Sequence, residues 1–268
     1  QRHPYRWNTI GKDISHIEKA TMGDVKAFYK KYYNPGNAIL SVAGDVTPEQ
    51  IRNLSEKWFS TIPSGETPER NYPQEPEQTG TREKTVERRV PQHAIYLCWK
   101  MPGRTDRKFH TIDLISDILS NGNSSRLYQN LVKEQTLFSE INAFVTGDLD
   151  PGLFIVTGKL LNGAGREKGE NAILGELDKF ISGISDDELQ KVKNKVEANL
   201  IFSKLSVLNK AMFLGYFQML GDAALMDTEE ERYMEVTKTD IRNTAGWLFR
   251  KERQNTLFYK AISNQTNG

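Results

Sequence analysis

Apolar residues recur at three- and four-residue spacing over several stretches of this chain and form short unbroken runs in others, and the two patterns predict helices and strands respectively. Val25, Phe28, Tyr29 and Tyr32 share one face of a helix that Thr21 caps, with Asp24 three residues on, and Asn34-Pro35-Gly36-Asn37 stops it. The run Ala38 to Ala43, bounded by Gly44-Asp45, predicts a strand covered on both faces or held at a sheet centre. Thr47-Pro48-Glu49-Gln50 opens a second helix whose buried stripe is Ile51, Leu54, Trp58 and Phe59.

Four prolines, Pro63, Pro68, Pro73 and Pro76, then interrupt a polar, charge-rich segment with hardly any aliphatic residues, which predicts an extended interdomain linker over residues 63–80. Beyond it, Thr81 to Val90 and Gln92 to Met101 predict two strands that form a hairpin or a sheet edge around Pro91. A helix from about Lys108 to Leu119 turns Ile112, Ile115, Ile118 and Leu119 inward. After the polar break from Ser120 to Ser125, a helical pattern resumes through Arg126, Leu127, Leu131 and Val132. Strands around Ser139 to Thr146 and Gly152 to Lys159 are joined by a hairpin turn, Gly147-Asp148-Leu149-Asp150-Pro151. A helix from about Arg166 to Ile181 precedes the capping box Ser185-Asp186-Asp187-Glu188, which opens a long helix reaching about Met219. Long helices among hairpin-connected strands predict an α+β fold: an antiparallel or mixed sheet with helices packed on one face.

The end of the chain repeats a unit near its beginning. Thr237-x-x-Asp240-Ile241 opens a helix that ends near Gln254-Asn255 and runs into Thr256-Leu257-Phe258-Tyr259, as Thr21-x-x-Asp24-Val25 leads to Ala38 onward. The offset is 216 at the caps (237 minus 21) and 218 at the strands (255 minus 37). A unit recurring at that distance suggests two related tandem domains, each closed by this unit. The expected organisation is residues 1–62 as the end of a first domain, 63–80 as linker, 81–262 as a complete second domain and 263–268 as a tail. Only about 20 residues precede the earlier copy, so most of the first domain is expected to lie upstream of Gln1.

Charge adds an exclusion: 36 Lys and Arg against 35 Asp and Glu leave no field to gather nucleic acid or an anionic membrane. No stretch reaches the roughly 18–20 apolar residues that span a bilayer, and Gln1-Arg2-His3-Pro4-Tyr5 does not read as a signal peptide. The single cysteine, Cys98, sits in an apolar run and reads as a small buried hydrophobe.

The histidines His3, His16, His93 and His110 include no pair at the spacing that puts two imidazoles on one helical face, and they read as scattered surface residues. No nucleophile elbow or phosphate-binding loop is present; Gly163-Ala164-Gly165 lacks the following Lys and Ser or Thr. The best local candidate for ligand binding is Asn123, Ser124, Ser125 and Arg126. Small polar residues at a helix start expose N–H groups to a substrate carbonyl or carboxylate, and Arg126 adds a fork of donors. An ordinary N-cap beside a solvated arginine is the alternative.

These residues resemble the pitrilysin-type zinc metallopeptidases, the family of insulin-degrading enzyme and mitochondrial processing peptidase. The matching stretches are His3-Pro4-Tyr5 with Thr9-Ile10-Gly11; Asp24, Phe28-Tyr29 and Tyr32 to Ala38; Val42-Ala43-Gly44-Asp45; Gly122 to Leu131; and Ile184 to Leu189. The resemblance implies two similar α+β domains around a chamber that admits unstructured peptides, bound by strand addition, and a setting in the bacterial periplasm or cell envelope. It implies a zinc site of inverted His-x-x-Glu-His type in the upstream part of the first domain. This chain is therefore expected to hold no metal or catalytic residue and to be inactive alone. Active members also carry Leu-Arg-x-x-x-Gly-Leu-x-Tyr in the second domain, whose Arg and Tyr stabilise the tetrahedral intermediate. Aligning Leu131 and Leu137 puts Val132 at the Arg position and Ser139 at the Tyr position, and neither can do that work. The resemblance thus implies either the zinc-bearing half of a pair, whose homologous partner subunit supplies Arg and Tyr, or a non-catalytic structural or peptide-holding subunit.

Overall fold

The computed structural model describes residues 3–8, 10–69, 71–147, 149–161 and 163–262; Thr9, Asp148 and the tail 263–268 fall outside them. The chain divides into two units: residues up to Glu77 together with Ser203–Met226, and Gln78–Phe202 together with the segment from Asp227 on.

The first unit is helical. It contains α1 (Ser15–Glu18), α2 (Met22–Tyr32) and α3 (Pro48–Phe59). Thr21 and Thr47 close capping boxes with Asp24 and Gln50, each satisfying N–H groups that the first turn would otherwise orphan. A short 3-10 turn, Pro35–Asn37, follows α2. Residues 38–43 lie in no strand, and Ile39, Leu40 and Val42 are exposed, which corrects the expected covered strand. No strand lies in this unit among the described residues, so the backbone has no ladder to join. The expected stripes are exposed too: Phe28 is 58% and Trp58 65% accessible, and Phe217 is the one buried side chain of the unit among the described residues.

The second unit is a five-stranded mixed sheet under a helical layer. Its strands are β1 (Arg82–Arg88), β2 (Ala94–Lys100), β3 (Phe138–Val145), β4 (Leu153–Leu160) and β5 (Asn255–Ala261), ordered β1-β5-β2-β4-β3. The hairpin alternative for the first two strands is overturned. β5 lies between them, parallel to β1 and antiparallel to β2. β3 and β4 form the expected antiparallel pair, with a bulge between Phe138 and Glu140.

Along β2 and β4 every second residue is buried: Ile95, Leu97 and Trp99, then Phe154, Val156 and Leu160. Against that face pack α4 (Lys108–Ser120), α5 (Arg166–Ser182) and, later in the chain, α9 (Lys238–Leu248), through Ile112, Ile115, Ile173, Leu177, Ile241 and Leu248. Each such aliphatic side chain contributes about 1.5–3 kcal/mol on full burial. The opposite face, with Tyr96, Cys98, Ile155, Leu257 and Tyr259, is half-buried.

α6 (Asp186–Ser203) starts at the Ser185–Glu188 box but does not run on to Met219. Ser206 caps a separate helix, α7 (Val207–Met219), by accepting from the Asn209 N–H. α8 (Glu229–Met234) precedes α9, and α9 with its following 3-10 turn, Lys251–Arg253, reproduces α2 and the turn Pro35–Asn37. Both helices have eleven residues and the same Thr/Asp capping box. In the later copy the segment that follows is a paired strand.

Candidate functional site

The segment Asn123 to Arg126 lies between α4 and a seven-residue π-helix, Tyr128–Glu134, a rare backbone form that widens one helical turn. Ser125 is buried, its N–H donates to the Gly122 carbonyl at 3.0 Å, and among the described residues its Oγ has no hydrogen-bond partner. Asn123 accepts from the Gln129 amide through its carbonyl, and Ser124 Oγ accepts from Lys191 Nζ. Arg126 is not a solvated fork. Its Nε and Nη2 grip Glu188, the latter at 2.7 Å, Nη2 also reaches the Gly183 carbonyl at 2.8 Å, and the guanidinium lies over the Phe180 ring.

Glu188 thus serves twice, as the third residue of the α6 capping box and as the counter-ion of Arg126. The hydrogen bond from Arg126, helped by Ser185 and opposed by burial, holds its carboxyl down to about 2 from 4.5. A depressed folded pKa stabilises above the unfolded value and loses that contribution as pH falls through the folded one. With screening at this partly exposed pair, Glu188→Gln should cost about 1–2 kcal/mol at pH 7 and distinctly less at pH 3. Urea titrations at the two pH values measure this; an equal cost at both would rule out ion pairing as its source.

Val132 is half-buried against the core and Ser139 is exposed, its Oγ 3.2 Å from Gln92 Oε1. Between them Thr136 occupies a left-handed conformation, φ 51°, where the Leu-Arg-x-x-x-Gly-Leu-x-Tyr pattern has glycine. The turn it makes lets the Leu137 N–H reach the Leu131 carbonyl at 3.0 Å, closing the π-helix onto the start of β3. A β-branched residue is strained there. Thr136→Gly should therefore stabilise the unit by about 1 kcal/mol, against the usual direction of glycine substitutions; a lowered melting temperature would contradict the strain.

A second cluster joins α4 and α8 with Arg104, which lies just before α4. Arg104 pairs with Glu229, and His110 Nε2 stands 3.2 Å from Glu229 Oε2 and 3.1 Å from Arg104 Nη1. Asp113 Oδ2 accepts from the Tyr233 hydroxyl at 2.6 Å. His110 is 3% accessible, which corrects its reading as a surface histidine: one helical turn of α4 faces α8, and burial there requires polar partners. Burial raises the Asp113 and Tyr233 pKa values; at Glu229 burial opposes, but His110 and Arg104 together lower the value. No local motif announces this cluster, because Glu229 lies more than a hundred residues from its partners.

Zinc needs three or four converging nitrogen, oxygen or thiolate donors. Among the described residues no group of three or more His, Cys, Asp or Glu side chains could hold a metal ion. His110 is committed to Glu229, His93 Nδ1 accepts the Ala261 N–H at 2.9 Å, and burial pushes the Cys98 thiol up to about 11. The described residues do not fit a zinc ion.

Zinc protease PqqE of Helicobacter pylori is 27% identical to this chain over 265 residues, 96% of this chain and 59% of that protein. The crystal structure of a Helicobacter pylori protease superposes with a TM-score of 0.87 at 26% identity, covering 97% of this chain and 63% of that one. A peptidase M16 inactive domain from Pseudomonas fluorescens shares the fold, with a TM-score of 0.85 at 17% identity over 98% of this chain and 62% of its own. The chain thus spans about three fifths of the length of each of these three relatives. The family model described as the peptidase M16 inactive domain matches residues 19–196, two thirds of the sequence, and the chain belongs to that family.

Proposed function

We propose that this chain is the non-metal portion of a zinc-dependent peptidase, that the half-buried face of its sheet forms a wall of a chamber for unstructured peptides, and that it works with a homologous partner subunit. In this reading residues 1–62 end one lobe, 63–80 link, and 81–262 form the second lobe. The zinc belongs to polypeptide outside the described residues, and the periplasm or cell envelope is the setting. The observation that carries the reading is the pair Val132 and Ser139, which occupy the positions of the transition-state Arg and Tyr when Leu131 and Leu137 are aligned with the two leucines of the family's pattern. A chain so altered needs those donors from elsewhere.

The test uses the full-length protein and an unfolded peptide substrate. Alone it should cleave weakly; with a homologous subunit carrying the Arg and Tyr, the rate should rise by about 10²–10³, the usual value of one oxyanion-type donor. Ordinary turnover by the full-length protein alone would overturn the division of labour. No turnover with any partner would favour the second reading, a peptide-holding subunit, to which the same two substitutions also point; titrating extended peptides in the absence of zinc measures it directly.

A further inference from the structure

Along β1 the alternation of the strand sorts charge by face. Glu83 and Glu87 point to the helical side, where Arg166 of α5 takes the first and Lys260 of β5 takes the second at 2.8 Å. Arg82, Lys84 and Arg88 share the other face with their β5 neighbours Asn255, Leu257 and Ala261, none of them charged.

The same parity extends over the whole sheet. The face away from the helices carries five cations, the three on β1 with Lys100 of β2 and Lys159 of β4, against one carboxylate, Glu140 of β3. Glu140 is already bound to Lys159 at 2.7 Å. The face thus has an excess of four positive charges (five minus one) in a chain whose net charge is +1. Arg82, Lys84 and Arg88 are exposed and pair with no carboxylate among the described residues; Arg88 Nη1 donates to the Glu87 carbonyl at 2.8 Å. Beside them lie Leu257, Tyr259 and Tyr96, half-buried, the two tyrosine rings edge to face with centroids 6.4 Å apart. A basic row next to an apolar and aromatic strip is complementary to a chain that carries carboxylates beside apolar side chains.

Spacing narrows the partner. Side chains two residues apart on a strand stand about 7 Å apart, so Arg82 and Lys84 are one such step apart, and Lys84 and Arg88 two. An extended peptide has the same period and turns alternate side chains to one side, so carboxylates at alternate positions meet the row in step.

We propose that this face binds extended peptides rich in Asp and Glu, with carboxylates at alternate positions on Arg82, Lys84 and Arg88 and an apolar side chain on Leu257 and Tyr259. The proposal rests on the reading of this face as a wall of the peptide chamber and adds a substrate preference to it. Because the three cations are exposed, the preference should fade as salt rises.

The probe is a dye-labelled octapeptide of alternating glutamate and valine, titrated against the full chain by fluorescence polarisation at low ionic strength. Its counterpart with glutamine for every glutamate should bind about tenfold more weakly, the combined effect of two or three exposed ion pairs. A peptide of the same composition with its glutamates in one block, which splits them between the two sides, should bind about threefold more weakly. Lys84→Gln with Arg88→Gln should remove most of the glutamate preference. Lys26→Gln with Lys30→Gln, the same charge change on exposed residues of α2, should leave it. Glutamate and glutamine peptides bound alike within about twofold, no binding of the glutamate peptide, or an equal loss from the α2 substitutions overturns the proposal. Tighter binding of a single-stranded oligonucleotide of equal charge also overturns it. The comparison of the two peptides on the unaltered chain decides even if a variant folds poorly. A full-length protein that gains turnover with its partner while the two peptides bind alike keeps its peptidase role and loses only this preference.

Discussion

Glu229→Gln should destabilise the second unit by about 3–5 kcal/mol, because it removes the charge that Arg104 pairs with in a site where only about a tenth of that side chain is accessible. The amide keeps the shape of the carboxylate and removes its charge. Arg104, already stacked on Phe109, then loses the carboxylate it pairs with, and the amide offers one acceptor oxygen where Arg104 and His110 had two. The penalty should be pH-dependent. Glu229 has a lowered folded pKa, so its contribution is present above the ordinary carboxylate value near 4.5 and is lost as pH falls through the folded one; the variant and the parent should converge in acid. Replacing both partners with apolar residues of similar volume, Arg104→Met with Glu229→Leu, should recover most of the loss, since it removes two desolvation costs together. Urea unfolding of the three variants at pH 7 measures this. A double variant as unstable as Glu229→Gln alone would mean that the pair, and not the stranded charge, supplies the stability.

What could be read from sequence divides by the range of the interaction. The capping boxes at Thr21, Thr47, Ser185 and Thr237 were legible because their hydrogen bonds join residues three apart, and all four form. The α4 stripe and the β3–β4 pairing were legible for the same reason. The Ser206 cap that separates α6 from α7 carries a local signal too, a serine three residues before Asn209, but the continuing apolar pattern through Val207 and Leu208 masks it. The sheet neighbours of β1 and β2 were not legible: the two are adjacent in sequence, yet β5 arrives from more than 150 residues away and separates them. The site divides likewise. That Val132 and Ser139 lack the donors of the family pattern follows from residue identity alone. The commitment of Arg126 depends on Glu188, 62 residues on, and the Arg104–His110–Glu229 cluster depends on a helix outside any local pattern.

The largest packing effect should come from Phe138, whose ring is fully buried at the bulged start of β3. It rests over two glycines: a Cβ at Gly158 of β4 would stand 2.6 Å from the ring, and one at Gly169 of α5 would stand 3.3 Å from Phe138 Cζ and 2.6 Å from Leu160. Real Cβ contacts do not come as close as 2.6 Å, so Gly158 makes the space that the ring fills, and at Gly169 a side chain would press mainly on Leu160. Phe138→Ala should therefore cost about 3–5 kcal/mol, the lost transfer energy plus the cavity between strand and helix. Gly158→Ala should cost about 1–3 kcal/mol by overpacking against the ring, since Gly158 is not among the residues of positive φ and its backbone accepts alanine. Combined, the two should cost less than their sum, because removing the ring removes the clash and the new methyl group fills part of the cavity. A coupling of about 1 kcal/mol or more in that direction is expected from a double-mutant cycle in urea. Additivity within about 0.3–0.5 kcal/mol would show that the ring and the glycine do not depend on one another.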